Sequence, residues 1–254
     1  MSIKKICIDE GHNRGQDQGC YSIGSENKMN IATGELVISK LKTLGYDVLR
    51  TLDHIPEGVS VGTSLGDRVN IANSWGADIF VSIHSNAGGG IGTEVWIGSN
   101  AGRDIATKIC NNICNSFGYT NRGVKVQGVD GGHLYVLRYT NMPALLVEQC
   151  FVDNQDDINK WDAEKMANAI VKGITGQEVI NNPTPVTPKI VKYDETIPSG
   201  VYQFAGTTGY IEQATDGRLI IHKDRGNYIA IGKGFIDIYW NDNNGHNGSK
   251  RISG

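Results

Sequence analysis

The run Asp78-Ile79-Phe80-Val81-Ser82-Ile83-His84-Ser85-Asn86-Ala87 begins as an apolar, β-rich segment and ends abruptly in polar residues. This pattern is typical of a buried strand whose C-terminal end opens into a site, and His84 lies at the junction. Two other apolar runs, residues 3–8 and 144–147, lead in the same way into His12 and Glu148. Ligands bind outside the carboxyl ends of the strands in open α/β sheets, so the sequence predicts one site built from three strand ends.

Strand-like and helix-like segments alternate on both sides of this run. Apolar residues at helical spacing predict helices over about 26–44, 64–75, 103–117 and 162–174, with Ser25 and Asp162 as N-caps. Short apolar runs predict further strands at 46–51, 93–97, 122–127 and 134–137. Such an alternation is typical of an α/β domain with a mostly parallel sheet covered by helices.

The composition of the chain changes after residue 178. Residues 179–191 carry three prolines at short spacing without apolar periodicity, which predicts a linker. Residues 192–254 alternate short β-rich runs with turn residues, which predicts a small all-β domain of about five strands, with a bacterial SH3-like barrel as a guess from size. Its aromatic residues either fill a small core or stack on sugars: Tyr202, Phe204, Tyr210, Tyr228, Tyr239 and Trp240.

Charge and hydropathy exclude several functional classes. The 254 residues carry a net charge of −3 and no basic run, which argues against nucleic acid as a partner. No stretch reaches the roughly 20 apolar residues of a membrane span, and the apolar run at the N-terminus is too short for a signal peptide. The five cysteines lack zinc-type spacing and are expected to be reduced thiols of a chain made in a cytosol.

Four residues at the predicted strand ends form a set with a known kind of chemistry: His12, Glu26, His84 and Glu148. Two imidazoles and one carboxylate are a common catalytic zinc set that leaves a fourth position for water. Zinc makes water a usable nucleophile at neutral pH. A second carboxylate that does not bind the metal can take the proton from water and pass it to a leaving amine, a role that suits Glu148.

Each residue of this set also has an ordinary explanation. His12 could be a loop histidine, and His84 a hydrogen-bonded histidine at a strand end. Glu26 falls in the first turn of a predicted helix, where the helix dipole favours a carboxylate without any metal. Glu148 is the hardest to explain structurally, because a carboxylate directly after Leu-Leu-Val is costly unless it is paired or used.

Taken in order, these motifs resemble the type-3 family of zinc-dependent N-acetylmuramoyl-L-alanine amidases. The resemblance covers residues 3–176 and rests on the following segments: Asp9 to His12, Glu26, Ser82 to Ala87, Arg122 to Lys125, Pro143 to Glu148, and Asn154. It implies a twisted sheet of about six strands flanked by helices. It also implies hydrolysis of the amide between N-acetylmuramic acid and the L-alanine of the stem peptide.

Carried over by this resemblance, His12, Glu26 and His84 would bind one Zn²⁺ ion and Glu148 would be the catalytic carboxylate. Arg68 and Asn73 match polar positions of a helix and are interpreted as structural, and Asn86 is a candidate substrate contact. The sequence departs from the family pattern at Glu10, where Pro or Ala is usual, and at Gln149. Cys150 follows, and as the second residue after Glu148 on a strand it could share the face of Glu148 as a spare ligand or belong to the core.

The whole layout predicts a peptidoglycan hydrolase: a catalytic domain over 1–178, a linker over 179–191 and a wall-binding domain over 192–254. Peptidoglycan is the expected partner, with wall carbohydrate as a candidate ligand of the second domain. The protein resembles a phage endolysin or an autolysin, made in the host cytoplasm without a signal peptide and acting on Gram-positive walls after release. The alternatives are a zinc endopeptidase of the stem peptide and a wall-binding protein without activity.

Overall fold

The computed structural model of this chain describes residues 3–178 in full and the backbone of six strands between residues 200 and 253. The chain divides into two compact units, Met1–Val179 and Ile180–Gly254. The predicted linker, 179–191, lies outside the described residues. Among the described residues, no helix is both long and apolar enough to cross a membrane.

The first unit is built on a six-stranded sheet with the strand order β2-β1-β3-β6-β4-β5. All neighbouring strands are parallel except β4 and β6, which run antiparallel. The prediction of a mostly parallel sheet of about six strands is therefore confirmed. The strands are β1 (Lys5–Glu10), β2 (Asp47–Arg50), β3 (Ile79–Asn86), β4 (Thr93–Ile97), β5 (Asn121–Val126) and β6 (Ala144–Phe151).

Helices cover both faces of this sheet. One face packs against α1, α3 and α6 in the larger apolar cluster, and the other packs against α2 and α4 in a smaller one. β3 illustrates the division, because Ile79, Val81 and Ile83 belong to the larger cluster while Phe80 belongs to the smaller. The helices are α1 (Glu26–Thr43), α2 (Val61–Trp75), α3 (Arg103–Phe117), α4 (Tyr135–Tyr139), α5 (Gln155–Lys160) and α6 (Ala163–Thr175).

The predicted helix ends follow from local chemistry. Asp162 caps α6, because its side chain accepts a hydrogen bond from the Lys165 N–H, and Gly176 ends the helix in the left-handed conformation. Ser25 occupies the N-cap position of α1 with extended backbone angles, but its side chain makes no capping hydrogen bond. The start of α1 is held instead by Glu26, whose carboxylate accepts from the Cys20 N–H at 2.9 Å.

The prediction of a strand over residues 134–137 is wrong. Leu134 is the N-cap of the short helix α4, whose Val136 and Leu137 are buried in the cluster beneath α2. Four apolar residues in a row cannot distinguish a strand from a helical turn by periodicity. The helical turn forms because its end is tied to α2, where Asn73 donates to the Tyr139 carbonyl at 3.0 Å and accepts from the Asn141 N–H at 2.9 Å.

The second unit contains six antiparallel strands that pair in chain order, from Gly200–Phe204 to Asn247–Ser253. About five strands were expected from the sequence. The additional strand, Asn247–Ser253, has the sequence Asn-Gly-Ser-Lys-Arg-Ile-Ser, which lacks the apolar alternation that identifies a strand. The structure describes only the backbone of this unit, so it does not test the roles of its aromatic side chains.

Candidate metal centre

His84 is carried to the site by β3, whose first five residues are buried. Because Phe80 belongs to the cluster beneath α2 and α4, side chains at even positions of this strand face that side of the sheet. His84 pairs in register with Glu148 on β6, so two adjacent strands present an imidazole and a carboxyl group side by side. The strand ends that carry His84 and Glu148 therefore lie side by side, as the sequence predicts, in the middle of the sheet.

His12 lies in the loop after β1, where the backbone is unusual. Gly11 passes so close to His84 that a Cβ atom there would lie 2.1 Å from the His84 Nε2 atom. His12 and Asn13 both have positive φ angles, 64° and 67°, which are rare for residues other than glycine. Buried Arg68 holds this turn by donating a hydrogen bond to the His12 carbonyl. Strained residues held by their surroundings are characteristic of functional sites.

Glu26, the first residue of α1, is buried and lies between the two histidines. Its Oε1 atom is 3.2 Å from His12 Nε2 and 3.1 Å from His84 Nδ1, and it accepts from the Ser85 N–H at 3.2 Å. Burial opposes ionisation of this carboxyl group, but hydrogen bonds and charges from both histidines outweigh burial and hold its pKa well below the usual range. Glu26 is therefore an ionised carboxylate.

These three residues could hold a metal ion. One ligand atom from each of His12, Glu26 and His84 lies within 4.8 Å of the others. The two imidazole rings meet edge to face at a centroid distance of 4.8 Å. Two imidazole nitrogens and one carboxylate oxygen match the donor set of catalytic zinc sites. Glu148 is outside this group, in keeping with its predicted role as a carboxyl group that does not bind metal.

Asp17 supports His12 from behind and was not identified from the sequence. Its Oδ1 atom lies 2.8 Å from His12 Nδ1, and its Oδ2 atom accepts from the Ser64 hydroxyl at 2.8 Å. This contact leaves Nε2 of His12 as the nitrogen that faces Glu26. Burial lowers the pKa of His12, but hydrogen bonds to Asp17 and Glu26 outweigh it and raise the pKa to about 9. Only its position in a polar loop, five residues after His12, connects Asp17 to the site in sequence.

Glu148 lies inside β6 with a partly exposed side chain. Its Oε2 atom is buried without a hydrogen-bond partner among the described residues. Burial, followed by the negative charges of Glu26 and Glu94, raises the pKa of Glu148 to about 8. A carboxyl group with a raised pKa and an unpartnered oxygen is suited to accept and return a proton.

A β-bulge explains why Cys150 does not share the face of Glu148. β3 advances two residues from His84 to Asn86 while β6 advances three from Glu148 to Phe151, so β6 contains one extra residue. Cys150 therefore packs in the larger apolar cluster on the opposite face. Burial raises the pKa of this thiol to about 12. It is a core residue and not a spare ligand.

The two residues that depart from the family pattern, Glu10 and Gln149, both make hydrogen bonds with neighbouring side chains. Glu10 is buried and accepts a hydrogen bond from Arg50 Nε at 2.8 Å, in space left open by Gly34 of α1. Gln149 is also buried, and its amide bonds Thr33 at 2.6 Å and Ser85 at 3.2 Å. Glu10 and Gln149 thus contact α1 where it packs against the sheet, and neither belongs to the group of candidate ligands.

Glu94 extends the row of polar side chains beyond Glu148. It pairs with Glu148 in the antiparallel register of β4 and β6, and it is 4% exposed. Its carboxylate accepts hydrogen bonds from Asn86 at 3.2 Å, Trp96 at 3.1 Å and Arg122 at 2.8 Å. The sequence pattern at Glu94 is the same as at Glu148, a carboxylate inside an apolar strand, and this pattern is the signal that identifies it.

The remaining candidate residues lie around the candidate metal centre. The Asn86 amide is bonded to Glu94 and to the Ala87 N–H, so contact between Asn86 and substrate stays a prediction. An open cavity of about 290 Å³ reaches His12 and His84 from the side of α2 and α4. His133 and Tyr135 lie at this cavity, so the Gly-rich loop before α4 borders the candidate site.

Comparison with known proteins supports the interpretation of this geometry. The family model described as N-acetylmuramoyl-L-alanine amidase matches residues 6–176. The N-acetylmuramoyl-L-alanine amidase CwlM of Bacillus licheniformis is 35% identical over 177 residues, covering 66% of this chain and 65% of the relative. The endolysin of Bacillus phage SPP1 is 30% identical over 174 residues, covering 67% of this chain and 63% of the relative. The matched region is therefore just under two thirds of each of these relatives.

A solved structure shares the fold of the first unit. The catalytic domain of the CD27L endolysin targeting Clostridia Difficile is 28% identical with a TM-score of 0.60. The match covers 69% of this chain and 98% of that domain. The similarity thus concerns the six-stranded sheet and the helices that carry the candidate centre.

Proposed function

Because this chain belongs to the N-acetylmuramoyl-L-alanine amidase family, we propose that it hydrolyses the amide between N-acetylmuramic acid and L-alanine in peptidoglycan. One observation carries the proposal: His12, Glu26 and His84 converge, and His84 lies beside Glu148 on the neighbouring central strand. A peptidoglycan hydrolase of this kind acts at the bacterial cell wall, as an endolysin or an autolysin does.

The proposed cofactor of this reaction is one Zn²⁺ ion, which His12, Glu26 and His84 would hold. The donor set fits, because two imidazole nitrogens and an ionised carboxylate oxygen already converge within 4.8 Å. Zinc supplies Lewis-acid polarisation of the scissile carbonyl and activation of water when it is bound. Asp17 fixes the orientation of the His12 ring, as carboxylates behind metal-binding histidines do.

Glu148 performs the proton transfer. Its unpartnered Oε2 atom accepts the proton of the attacking water, and the protonated carboxyl group then donates that proton to the departing L-alanine nitrogen. Burial, followed by the negative charges of Glu26 and Glu94, raises its proton affinity, which favours the first of these transfers, the uptake of the proton from water. Glu94, its neighbour on β4, keeps its own three hydrogen bonds.

The domain assignment completes the proposal. Residues 1–178 carry the catalytic site, residues 179–191 are a linker, and residues 192–254 bind the wall. A tethered wall-binding domain raises the local concentration of substrate at the catalytic site without adding contacts there. Wall carbohydrate is the candidate ligand of this second domain.

The deciding experiment is digestion of purified Gram-positive peptidoglycan, followed by identification of the newly exposed N-terminal residues. The proposal expects new N-terminal L-alanine, suppressed by a chelator and restored by zinc. New N-termini elsewhere in the stem peptide would indicate the zinc endopeptidase. A folded protein that binds walls without creating any new ends would be a wall-binding protein instead.

A further inference from the structure

A row of polar side chains crosses the sheet beyond the candidate metal centre. His84 on β3 pairs with Glu148 on β6, and Glu148 pairs with Glu94 on β4. The row continues to β5, where Arg122 donates a hydrogen bond from Nε to Glu94 at 2.8 Å. Adjacent strands lie about 4.8 Å apart, so the backbones of Glu148 and Arg122 are separated by about 10 Å. Arg122 therefore lies on one flank of the reacting centre.

The Arg122 side chain is held in place from two directions. The Glu94 carboxylate that binds its Nε atom is itself fixed by the side chains of Asn86 and Trp96. The guanidinium also lies over the Phe151 ring, with its Cζ atom 4.9 Å from the ring centroid. A guanidinium held by a carboxylate and an aromatic face has lost most of its rotational freedom before any ligand arrives.

The outer edge of this guanidinium is available to a ligand. The Arg122 side chain is 36% exposed, whereas Glu94 beneath it is 5% exposed. Within residues 3–178, Nη1 and Nη2 of Arg122 have no hydrogen-bond partner. These two nitrogens form the planar fork that binds a carboxylate through two parallel hydrogen bonds.

The substrate carries a carboxylate on only one side of the scissile amide. The muramoyl side of the scissile amide consists of a neutral sugar and a lactyl group whose carbonyl is part of the amide. The stem peptide has carboxylates, and the first of them is the α-carboxylate of the second residue, D-glutamate. One extended residue spans about 3.5 Å, so this group lies within reach of the Arg122 fork when the amide is at Glu148.

We propose that Arg122 forms a carboxylate subsite that binds the α-carboxylate of the second stem-peptide residue and so orients the peptide across Glu94. This inference rests on the proposed amidase function and adds the orientation of the substrate across the sheet. The peptide extends over β4 and β5, and the glycan leaves toward the cavity bordered by α2 and α4. An amide in this position cannot form the charged pair with the fork, so the subsite favours substrates in which this carboxylate is free.

The test compares two soluble substrates that differ only in this group. They are N-acetylmuramoyl-L-alanyl-γ-D-glutamyl-L-lysinamide and its D-isoglutaminyl analogue, in which the α-carboxylate is an amide. The full chain with zinc restored is expected to show a KM about tenfold lower for the acid, because hydrogen bonds between charged groups are the stronger kind. Release of N-terminal L-alanine measures both reactions.

The informative variant is Arg122→Lys, which keeps a positive charge beside Glu94 and removes the fork. It is expected to raise the KM for the acid about tenfold, to the value for the amide, with kcat within about twofold. Lys125→Gln, which removes another cation of β5, is the matched control and leaves both KM values unchanged. A wild-type KM that is equal for the two substrates would overturn the subsite. An Arg122→Lys variant in which the KM rises by the same factor for both substrates would overturn it as well.

A binding measurement separates this inference from the amidase proposal. Calorimetry on zinc-loaded Glu148→Gln is expected to give a Kd about tenfold lower for the acid, and the additional change Arg122→Lys is expected to remove the difference. If neither substrate is cleaved by the wild type, the amidase proposal fails and the Kd ratio alone decides the subsite. Equal Kd values would overturn the subsite even in an active amidase.

Discussion

The centre depends on single residues whose surroundings differ sharply although their chemistry is similar. Glu26 and Glu148 are both carboxyl groups near two histidines. Hydrogen bonds from His12 and His84 hold the pKa of Glu26 low, whereas burial without a partner raises the pKa of Glu148 to about 8. Two carboxyl groups with pKa values pushed apart can serve as ligand and as proton acceptor.

The first prediction at this scale concerns Glu148→Gln, which keeps the side-chain shape and removes the proton acceptor. The rate of L-alanine release is expected to fall at least about 100-fold, because general base catalysis contributes that much or more. Zinc content and thermal unfolding are expected to stay at wild-type values. His84→Ala is the comparison variant and is expected to lose the metal together with activity. A Glu148→Gln protein that has lost its zinc would make Glu148 a ligand.

The second prediction concerns Asp17, which contacts His12 and not the metal. Asp17→Asn weakens the hold on the His12 ring, so zinc affinity is expected to fall about 10- to 100-fold. Competition with a chromogenic chelator measures this affinity independently of activity. Asp104→Asn, an exposed carboxylate in the first turn of α3, is the matched control and leaves zinc affinity unchanged. Unaltered zinc affinity in Asp17→Asn would leave Asp17 with a purely structural role.

At the scale of elements, a buried ion pair joins β1 to α2. The Arg68 guanidinium contacts Asp9, and both side chains are 1% exposed. Asp9 also accepts hydrogen bonds from Thr51 and Ser82 at 2.6 Å each. Arg68 in turn bonds the backbone carbonyls of Glu10 and His12, so this pair determines where the His12 loop leaves the sheet.

Acid sensitivity follows from this pair. Burial opposes ionisation of Asp9, but Arg68 and the two hydroxyl groups outweigh it and hold its pKa below 3.8. The folded pKa is lower than the unfolded one, so the stabilisation is present above about pH 4 and is lost as pH falls through the folded pKa. Urea unfolding between pH 3 and pH 7 is expected to show this loss in the wild type.

The matched variant is Asp9→Asn, which leaves the Arg68 charge buried without its partner. It is expected to lower the free energy of unfolding at pH 7 by about 3–5 kcal/mol. Its stability is also expected to fall less steeply than that of the wild type between pH 5 and pH 3. Equal slopes for the two proteins in this range would exclude Asp9 as the source of the acid sensitivity.

Helix packing gives a prediction with an internal control. A Cβ atom at Gly173 of α6 would lie 2.8 Å from backbone atoms of Ile109 in α3, so Gly173→Ala forces the two helices apart. We expect a loss of about 1–3 kcal/mol in the free energy of unfolding. Gly66→Ala in α2 meets nothing within 4 Å and is expected to gain about 0.5–1 kcal/mol. Urea titration of both variants tests this, and equal effects would contradict the close approach of α3 and α6.

At the scale of the whole molecule, the division into two units predicts separable properties. A protein ending at Val179 retains the complete sheet, the candidate ligands and Glu148, so it is expected to bind zinc and cleave soluble muramoyl peptides at the rate of the full chain. Loss of the tether is expected to lower its activity on intact walls by about tenfold or more. A truncated protein that clears walls as fast as the full chain would show that residues 180–254 do not bind them.

The sequence by itself determined the α/β class of the first unit and the strand ends at His84 and Glu148. Apolar runs that end in His84 and Glu148 show strand ends, because strand periodicity and polar termini are local properties of the chain. The segments 134–137 and 247–253 were beyond this reasoning, since their short or polar runs carry no period. The change of composition after residue 178 is likewise visible in the residues alone.

Only the tertiary structure decided how these residues are used. The extra residue in β6 turns Cys150 into the core, and a bulge depends on the pairing of two strands rather than on either sequence. The roles proposed for Asp17, Glu94 and Arg122 depend on their positions beside His12, Glu148 and Phe151, which lie on other elements or across a loop. Periodicity determines which way a side chain points along its own strand, but charge, burial and reach depend on neighbours that folding brings together.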